Sequence, residues 1–218
     1  MTIGPAHAED ALIEPQEDNR KALRARLRAA RAALDPNQAA AASHVTNSYL
    51  VHSAEFLQAH RIAGYVAVGN EADPEAALVL AHELGKSVYL PRIRPERRLV
   101  FAQWQPGDTL HKHTRLGIPE PAAGAPTIRA EQLDLVIVPL VGFDAEGHRL
   151  GMGGGFYDRN FAFRQAPPVT RPILAGFAHA NQICQTIPPE PWDTPLDLVV
   201  TEQGIRRFPM RHNETSTD

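Results

Sequence analysis

The chain has 218 residues, 43% hydrophobic and 22% charged, with a formal net charge of -3 at pH 7. That is enough chain for one domain with a real core, at an ordinary globular composition. It carries no overall basic field to attract nucleic acid. The single cysteine, Cys184, excludes an intrachain disulfide framework and leaves a thiol-ligated zinc site nearly without donors. Cys184 has no glycine elbow around it, so a plain thiol outweighs a nucleophile. No apolar run approaches the roughly 18 residues needed to span a membrane, and the acidic N-terminus lacks a basic-then-apolar secretion signal. A cytoplasmic protein is expected, monomeric or weakly homo-oligomeric, without nucleic-acid or membrane partners.

Residues 1–18 show no periodicity and read as a disordered lead. Their five acids are Glu9, Asp10, Glu14, Glu17 and Asp18; removing them from a net charge of -3 leaves about +2 on the rest, which suits a small polyanionic ligand. From Asn19, the residues Leu23, Leu27, Ala30 and Leu34 recur at helical spacing. Arg20, Lys21, Arg24, Arg26, Arg28 and Arg31 crowd the other positions. They form a solvated face snorkelling over the core, or one or two of them point back into a site and meet phosphate. Asp35-Pro36 ends this helix and caps the next, which runs toward Leu57.

Strand-like runs follow at 61–68, at 87–90 where Pro91 stops it, at 99–104, at 133–139, at 172–177 and at 196–200. A polar turn, Gly69–Pro74, and a helix through Leu84 separate the first two. The run at 133–139 is nearly all apolar, as a strand buried on both faces should be. Strands alternating with helices predict an α/β fold, an open and mostly parallel sheet with helices on both faces, in a single domain over 19–208. The 99–104 strand is an expected antiparallel extension. The proline-punctuated 105–127 stretch is an irregular lid or connection, and a flexible tail starts at 209. In such sheets ligands bind beyond the carboxyl ends of the strands.

After the 133–139 strand, Asp144-Ala-Glu-Gly147 has good turn chemistry. Then comes Arg149-Leu-Gly-Met-Gly-Gly-Gly-Phe-Tyr-Asp158, leading into a helix. Gly151, Gly153, Gly154 and Gly155 cost backbone entropy. A chain accepts this where something approaches the backbone closely or where successive N–H groups converge on an anion. A Walker loop needs Lys-Ser/Thr after its last glycine, and the dinucleotide fingerprint needs glycine where this chain has Phe156. The loop is therefore a phosphate nest of neither common type, or a purely structural turn. Arg149 offers a donor fork for phosphate. Asp158 can serve phosphate through Mg²⁺, or simply satisfy a helix dipole. Phe156 and Tyr157 wall a planar ligand or belong to the core. The histidines are scattered; His111 and His113 share a strand face but lack further ligands for a metal.

The run from Val138 to Arg159 resembles the signature of the 5-formyltetrahydrofolate cyclo-ligases, also called 5,10-methenyltetrahydrofolate synthetases. Arg20–Arg24, Asn70-Glu71, Leu90-Pro91-Arg92, Gly117–Pro121, Gly176–His179, Ile187–Asp193 and Leu198–Thr201 fit the family in order, so that the resemblance spans about 19–205. It implies an ATP- and Mg²⁺-dependent ring closure of a formylated folate. The formyl oxygen attacks the γ-phosphate, N10 attacks the activated carbon, and phosphate leaves. Such chemistry asks for positioning and charge neutralisation more than for protein nucleophiles.

By the same resemblance Arg149, Leu150, Gly151, Met152, Gly153, Gly154, Gly155, Phe156 and Tyr157 embrace ATP. Gly153, Gly154 and Phe156 also border the folate. Asp158 and Asp193 would hold Mg²⁺, and Arg149, Tyr157 and Asp158 would be catalytic. In the segment Arg20, Lys21, Ala22, Leu23 and Arg24, Arg24 matches a basic position near the phosphates. Relatives place lysine where this chain has Arg20, with Lys21 as its neighbour, and some carry lysine where it has Gly154. Glu71 would hydrogen-bond the pterin, and Val66 would line the same pocket. Two alternatives are an ATP-dependent relative acting on another formylated or amide substrate, and a non-catalytic nucleotide- or folate-binding module. A sugar-phosphate isomerase or CoA-transferase is disfavoured, since Asp158 and Asp193 would have no task there.

Overall fold

A computed structural model describes residues 16–113, 117–166 and 169–209. Most of the expected lead and all but the first residue of the expected tail lie outside the described residues. The helical segments are α1 (Gln16–Ala32), α2 (Pro36–Val51), α3 (Ala54–Gln58), α4 (Glu75–Glu83) and α5 (Phe156–Phe161). The strands of the main sheet are β1 (Arg61–Ala63), β2 (Ser87–Arg94), β3 (Arg98–Gln103), β6 (Thr127–Ile128), β7 (Leu135–Pro139), β10 (Ile173–Phe177), β11 (Leu198–Thr201) and β12 (Gly204–Arg207). Two small ribbons pair β4 (His111–Lys112) with β5 (Pro119–Glu120), and β8 (Gly142–Phe143) with β9 (Arg149–Leu150).

The main sheet has the order β12-β11-β10-β7-β1-β2-β3-β6. Its five inner strands, from β11 to β2, run parallel, and the edges are antiparallel. Strand side chains alternate between faces, and the two cores follow that alternation. Ile62, Leu90, Leu135, Ile137, Phe177 and Leu198 pack with Leu50, Phe56 and Leu78 from α2, α3 and α4. Val136, Val138, Leu174 and Val199 pack on the other face with Phe161 of α5 and with Phe101. The expected α/β sheet with helices on both faces is therefore the observed one, and the 99–104 strand is antiparallel as expected. No helix among the described residues is long and apolar enough to cross a membrane.

Several boundaries differ from the sequence reading. α1 starts at Gln16, so the last three residues assigned to the lead are helical. Asp35 caps α2 as expected, its Oδ1 accepting from the N–H of Asn37 and Gln38. The helix does not continue to Leu57, because Ser53 caps a separate α3 with its hydroxyl. β1 ends at Ala63 rather than Val68: the Tyr65 hydroxyl donates to Ala72 O and pulls the chain into a turn. The 105–127 stretch is less irregular than expected, since it holds the β4–β5 ribbon and leads into β6.

Pro91 does not stop β2. On the β1 side of β2, Tyr89 O accepts from Gly64 N and Ile93 N donates to Glu120 Oε1. Alternate residues of a strand face the same neighbour, so Pro91 between them faces that side too, where β1 has already ended. An edge of this kind tolerates a residue without an N–H.

α1 packs on neither face of the sheet. Its Leu23 and Leu27 join Val141, Leu150 and Ile187 in a third cluster beyond the carboxyl end of β7. Gly142 makes this docking possible: a Cβ there would stand 2.4 Å from Leu27 Cδ1.

Candidate functional site

The glycine segment leaves β9 and enters α5. Gly153 and Gly155 take φ of +90 and +66, a region that costs any residue with a Cβ. A Cβ at Gly151 would meet nothing within 4 Å, and one at Gly153 would meet only the Arg24 guanidinium, at 3.8 Å. The loop is thus open on its outer side. Gly154 is the exception, since a Cβ there would stand 2.7 Å from the Phe156 ring; Gly153 and Gly155 serve backbone conformation, and Gly151 leaves open space. Met152, at the crest, is exposed.

Three cations of α1 turn inward. Arg20 donates to Asp193 Oδ2 at 2.7 Å and to Pro188 O at 2.8 Å, with only 8% of its side chain exposed. Arg24 donates through Nε to Gly151 O at 3.0 Å. Arg31 meets Glu71 Oε1 at 3.3 Å. Positions 20, 24 and 31, with Leu23 and Leu27, fall on one helical face. Lys21, Ala22, Arg26 and Arg28 are exposed on the remainder. Half of the cations thus form the solvated face, and the other half turn inward, one more than the reading of the sequence allowed for. The spacing of four and seven was the signal for which half points inward. The side chains of Leu23 and Leu150 are core.

Arg149 is 6% exposed. Its Nη2 donates to Asp158 Oδ1 at 2.5 Å, and its Nη1 donates to Thr194 O. Asp158 Oδ1 also accepts from Thr194 N at 3.2 Å, while Oδ2 receives none of these bonds. Asp193 precedes Thr194, so the backbone hydrogen bond at Thr194 brings the segment carrying the second aspartate against the first. The Thr194 hydroxyl is buried without a partner. A hard cation that keeps most of its waters needs only one or two carboxylates. The oxygen-only donor set, with its orphaned hydroxyl, fits Mg²⁺. Asp193 can join such a site only by exchanging Arg20 for the metal, because Arg20 and Glu190 N hold both of its oxygens.

One group of three metal-capable side chains occurs among the described residues: Asp144, Glu146 and His148. Asp144 is fully buried, and both its oxygens are engaged by Glu146 N, His148 N, His148 Nδ1 and Ile187 N. It closes the turn rather than offering a metal site.

Glu71 sits in the turn after β1. Its Oε2 accepts from Val68 N at 3.1 Å. The turn is pinned twice: Asn70 Nδ2 donates to Leu34 O in the link between α1 and α2, and Asn47 of α2 donates to Asp73 O while accepting from Ala77 N. Asn47 thereby caps α4, whose own N-cap, Pro74, has no side-chain bond. Nothing in the sequence marks a mid-helix asparagine for that task. Val66 is half-buried against the first core. Burial pushes the Tyr157 phenol well above its ordinary range, opposed by Arg149 and reinforced by Glu71. Tyr157 therefore feels both the turn and the loop, and it is a phenol, a donor, at neutral pH. Phe156 and Tyr157 pack partly against the second core.

Cys184 bonds weakly to Phe143 O, and burial lifts its thiol to about 11, which fits the plain-thiol reading. A cleft of about 650 Å³ includes Lys86, Ser87, Trp104 and His111 in its lining, at the start of β2. None of the candidate residues lines it, and it lies at the opposite end of the parallel strands from the glycine loop.

The architecture is that of an open α/β sheet with a glycine loop beyond its carboxyl edge, bordered by arginines and by the segment carrying Asp193. The pattern of the 5-formyltetrahydrofolate cyclo-ligase family matches residues 16–202. The 5-formyltetrahydrofolate cyclo-ligase of Escherichia coli (strain K12) is 35% identical over 182 residues, covering 82% of this chain and 98% of the relative. That of Haemophilus influenzae is 35% identical over 185 residues, covering 83% and 97%. The solved 5,10-methenyltetrahydrofolate synthetase of Aquifex aeolicus superposes with a TM-score of 0.72 at 27% identity, over 91% of this chain and 99% of that one. The chain belongs to the 5-formyltetrahydrofolate cyclo-ligase family of enzymes.

Proposed function

We propose that the protein uses ATP and Mg²⁺ to cyclise 5-formyltetrahydrofolate to 5,10-methenyltetrahydrofolate, releasing ADP and phosphate, as a cytoplasmic monomer or weak homo-oligomer. The observation that carries this reading is the open glycine loop bracketed by the Arg149–Asp158 pair. Family membership supplies the substrate class.

In this reading the amides of Gly151–Gly155 line the triphosphate, and Arg24 and Arg149 neutralise it. Asp158 and Asp193 hold Mg²⁺, which when bound supplies further charge neutralisation on the phosphate oxygens. Glu71 accepts hydrogen bonds from the paired donors of the pterin edge, with Val66, Gly153, Gly154 and Phe156 around the ring. The formyl oxygen attacks the γ-phosphorus, and ADP departs with the electrons of the broken P–O bond. The N10 lone pair then attacks the imidate carbon. Phosphate leaves with the former formyl oxygen, and the N10 proton is lost. The chain's part is positioning and charge. Tyr157, a phenol at neutral pH like any tyrosine, donates a hydrogen bond toward the developing charge rather than acting as a base.

The test is turnover with ATP, Mg²⁺ and 5-formyltetrahydrofolate. ADP and a methenyl product absorbing in the near ultraviolet are expected in equal amounts. Folded protein that yields no product overturns the reading. Product without nucleotide consumption overturns the phosphorylated intermediate.

A further inference from the structure

The tip of the β2–β3 hairpin carries two consecutive residues in left-handed conformation, Glu96 at φ 61 and Arg97 at φ 57. The Arg98 N–H returns to Pro95 O, so the pair fills the centre of a tight primed turn. Such turns normally carry asparagine and glycine, because a Cβ is strained there. These are the positive-φ non-glycine residues among the described residues. The strain coincides with a charge conflict. Arg94 and Arg98 face each other in register, and like charges directly opposite repel. No salt bridge to Arg94, Arg97 or Arg98 forms among the described residues.

The hairpin is nevertheless held in a definite place. Leu99 N donates to Asn160 Oδ1 at 3.0 Å, and Asn160 Nδ2 donates to Phe156 O at 2.7 Å. One asparagine thus ties the tip end of the hairpin to the helix that follows the glycine loop. The result sets Arg97 Nη1 at 3.5 Å from Gly154 O. Arg24 and Arg159 stand on neighbouring carbonyls, Gly151 O at 3.0 Å and Gly155 O at 3.3 Å. Three guanidiniums from three elements therefore border one loop. Strain kept at a defined place argues for function. The contact of Arg97 with a neutral carbonyl is at the long limit of a hydrogen bond, and a phosphate oxygen is the stronger acceptor.

We propose that Arg97 contacts the polyphosphate of the nucleotide, and that the hairpin delivers this cation to the far side of the glycine loop. The inference rests on the nucleotide reading of that loop. Its test compares Arg97→Gln with the double variant Glu96→Asn/Arg97→Gly, which keeps the turn, relieves its strain and removes the cation. Binding of ADP with Mg²⁺ is measured by calorimetry, together with the ATP and folate KM and the Tm. Both variants are expected to weaken ADP and raise the ATP KM about tenfold, with the folate KM within about twofold and the double variant's Tm raised. A double variant as stable as the parent with unchanged ADP affinity overturns the proposal. If Arg97→Gln fails to fold, the double variant decides alone. A parent protein that turns over and binds ADP while the variants match it sinks the role of Arg97 only; a parent that binds no ADP sinks the loop reading as well.

Discussion

Asp158 divides its work between two oxygens: Oδ1 holds Arg149 and Thr194 N, and Oδ2 stands apart from both. Asp158→Asn preserves the shape and one acceptor but removes the charge. It is expected to lower kcat by about 100-fold or more, an electrostatic loss of the usual size at such sites, and to lower Tm as well, because the buried Arg149 loses its counter-charge. Mg²⁺ titrations of the initial rate check this, and an unchanged Mg²⁺ dependence would take Asp158 out of the metal site. Glu71→Gln should raise the folate KM more than the ATP KM, because in the proposed reading Glu71 meets the pterin edge while Arg31 and Val68 N hold its carboxylate in place. Equal losses for the two substrates would show that the turn does not face the pterin. Arg149 and Asp158 stood out in the sequence because they bracket a run of glycines that costs backbone entropy. The pairing of Arg20 with Asp193 was not legible, since the partners are 173 residues apart and no local pattern links them.

At the level of elements, the site depends on how α1 is seated. α1 carries Arg20, Arg24 and Arg31, yet only Leu23 and Leu27 of it join the apolar cluster there. Leu27 sits against Gly142, in a place that a Cβ would occupy. Gly142→Ala should therefore cost about 1–3 kcal/mol as overpacking and raise the ATP KM by displacing Arg24. Adding Leu27→Ala should recover part of the loss, so that the two changes couple in a denaturant-unfolding cycle; strict additivity would refute the contact. The sheet was readable from alternation and apolar runs. The end of β1 and the break at Ser53 were not, because a tyrosine hydroxyl and a serine cap decide them against local propensity. Pro91 misled for a related reason: a proline reads as a stop unless the neighbouring strand is known to end first.

For the molecule as a whole, acid should act in two stages. Burial holds the His179 imidazole below its ordinary value, with Glu202 opposing and Arg31 reinforcing. A depressed folded value means stability is complete above the unfolded value of about 6.5 and is lost as pH falls through the folded one. Burial pushes Asp134 up, but the N–H groups of Arg61 and His60, with Arg171, outweigh it and hold it below the ordinary range. Glu55 is lowered chiefly by its hydrogen bond from Arg207. Their contributions persist down to about pH 4 and disappear below it. Thermal unfolding against pH should show an early loss that His179→Gln removes and a later one that Asp134→Asn reduces. A single step unaffected by His179→Gln would contradict the first stage.

The bond between Arg20 and Asp193 also bears on how the protein is made. On the ribosome α1 emerges first, and a helix of its length with so little apolar surface is marginal in water. Its partners near Pro188 and Asp193 are translated 168 and 173 residues later. Until then only the later part of the helix, through Leu27, Arg24 and Arg31, has partners to meet, and Arg20 has none of its own. The corner that Arg20 closes is thus completed late in synthesis, only in a chain that has been translated through Asp193.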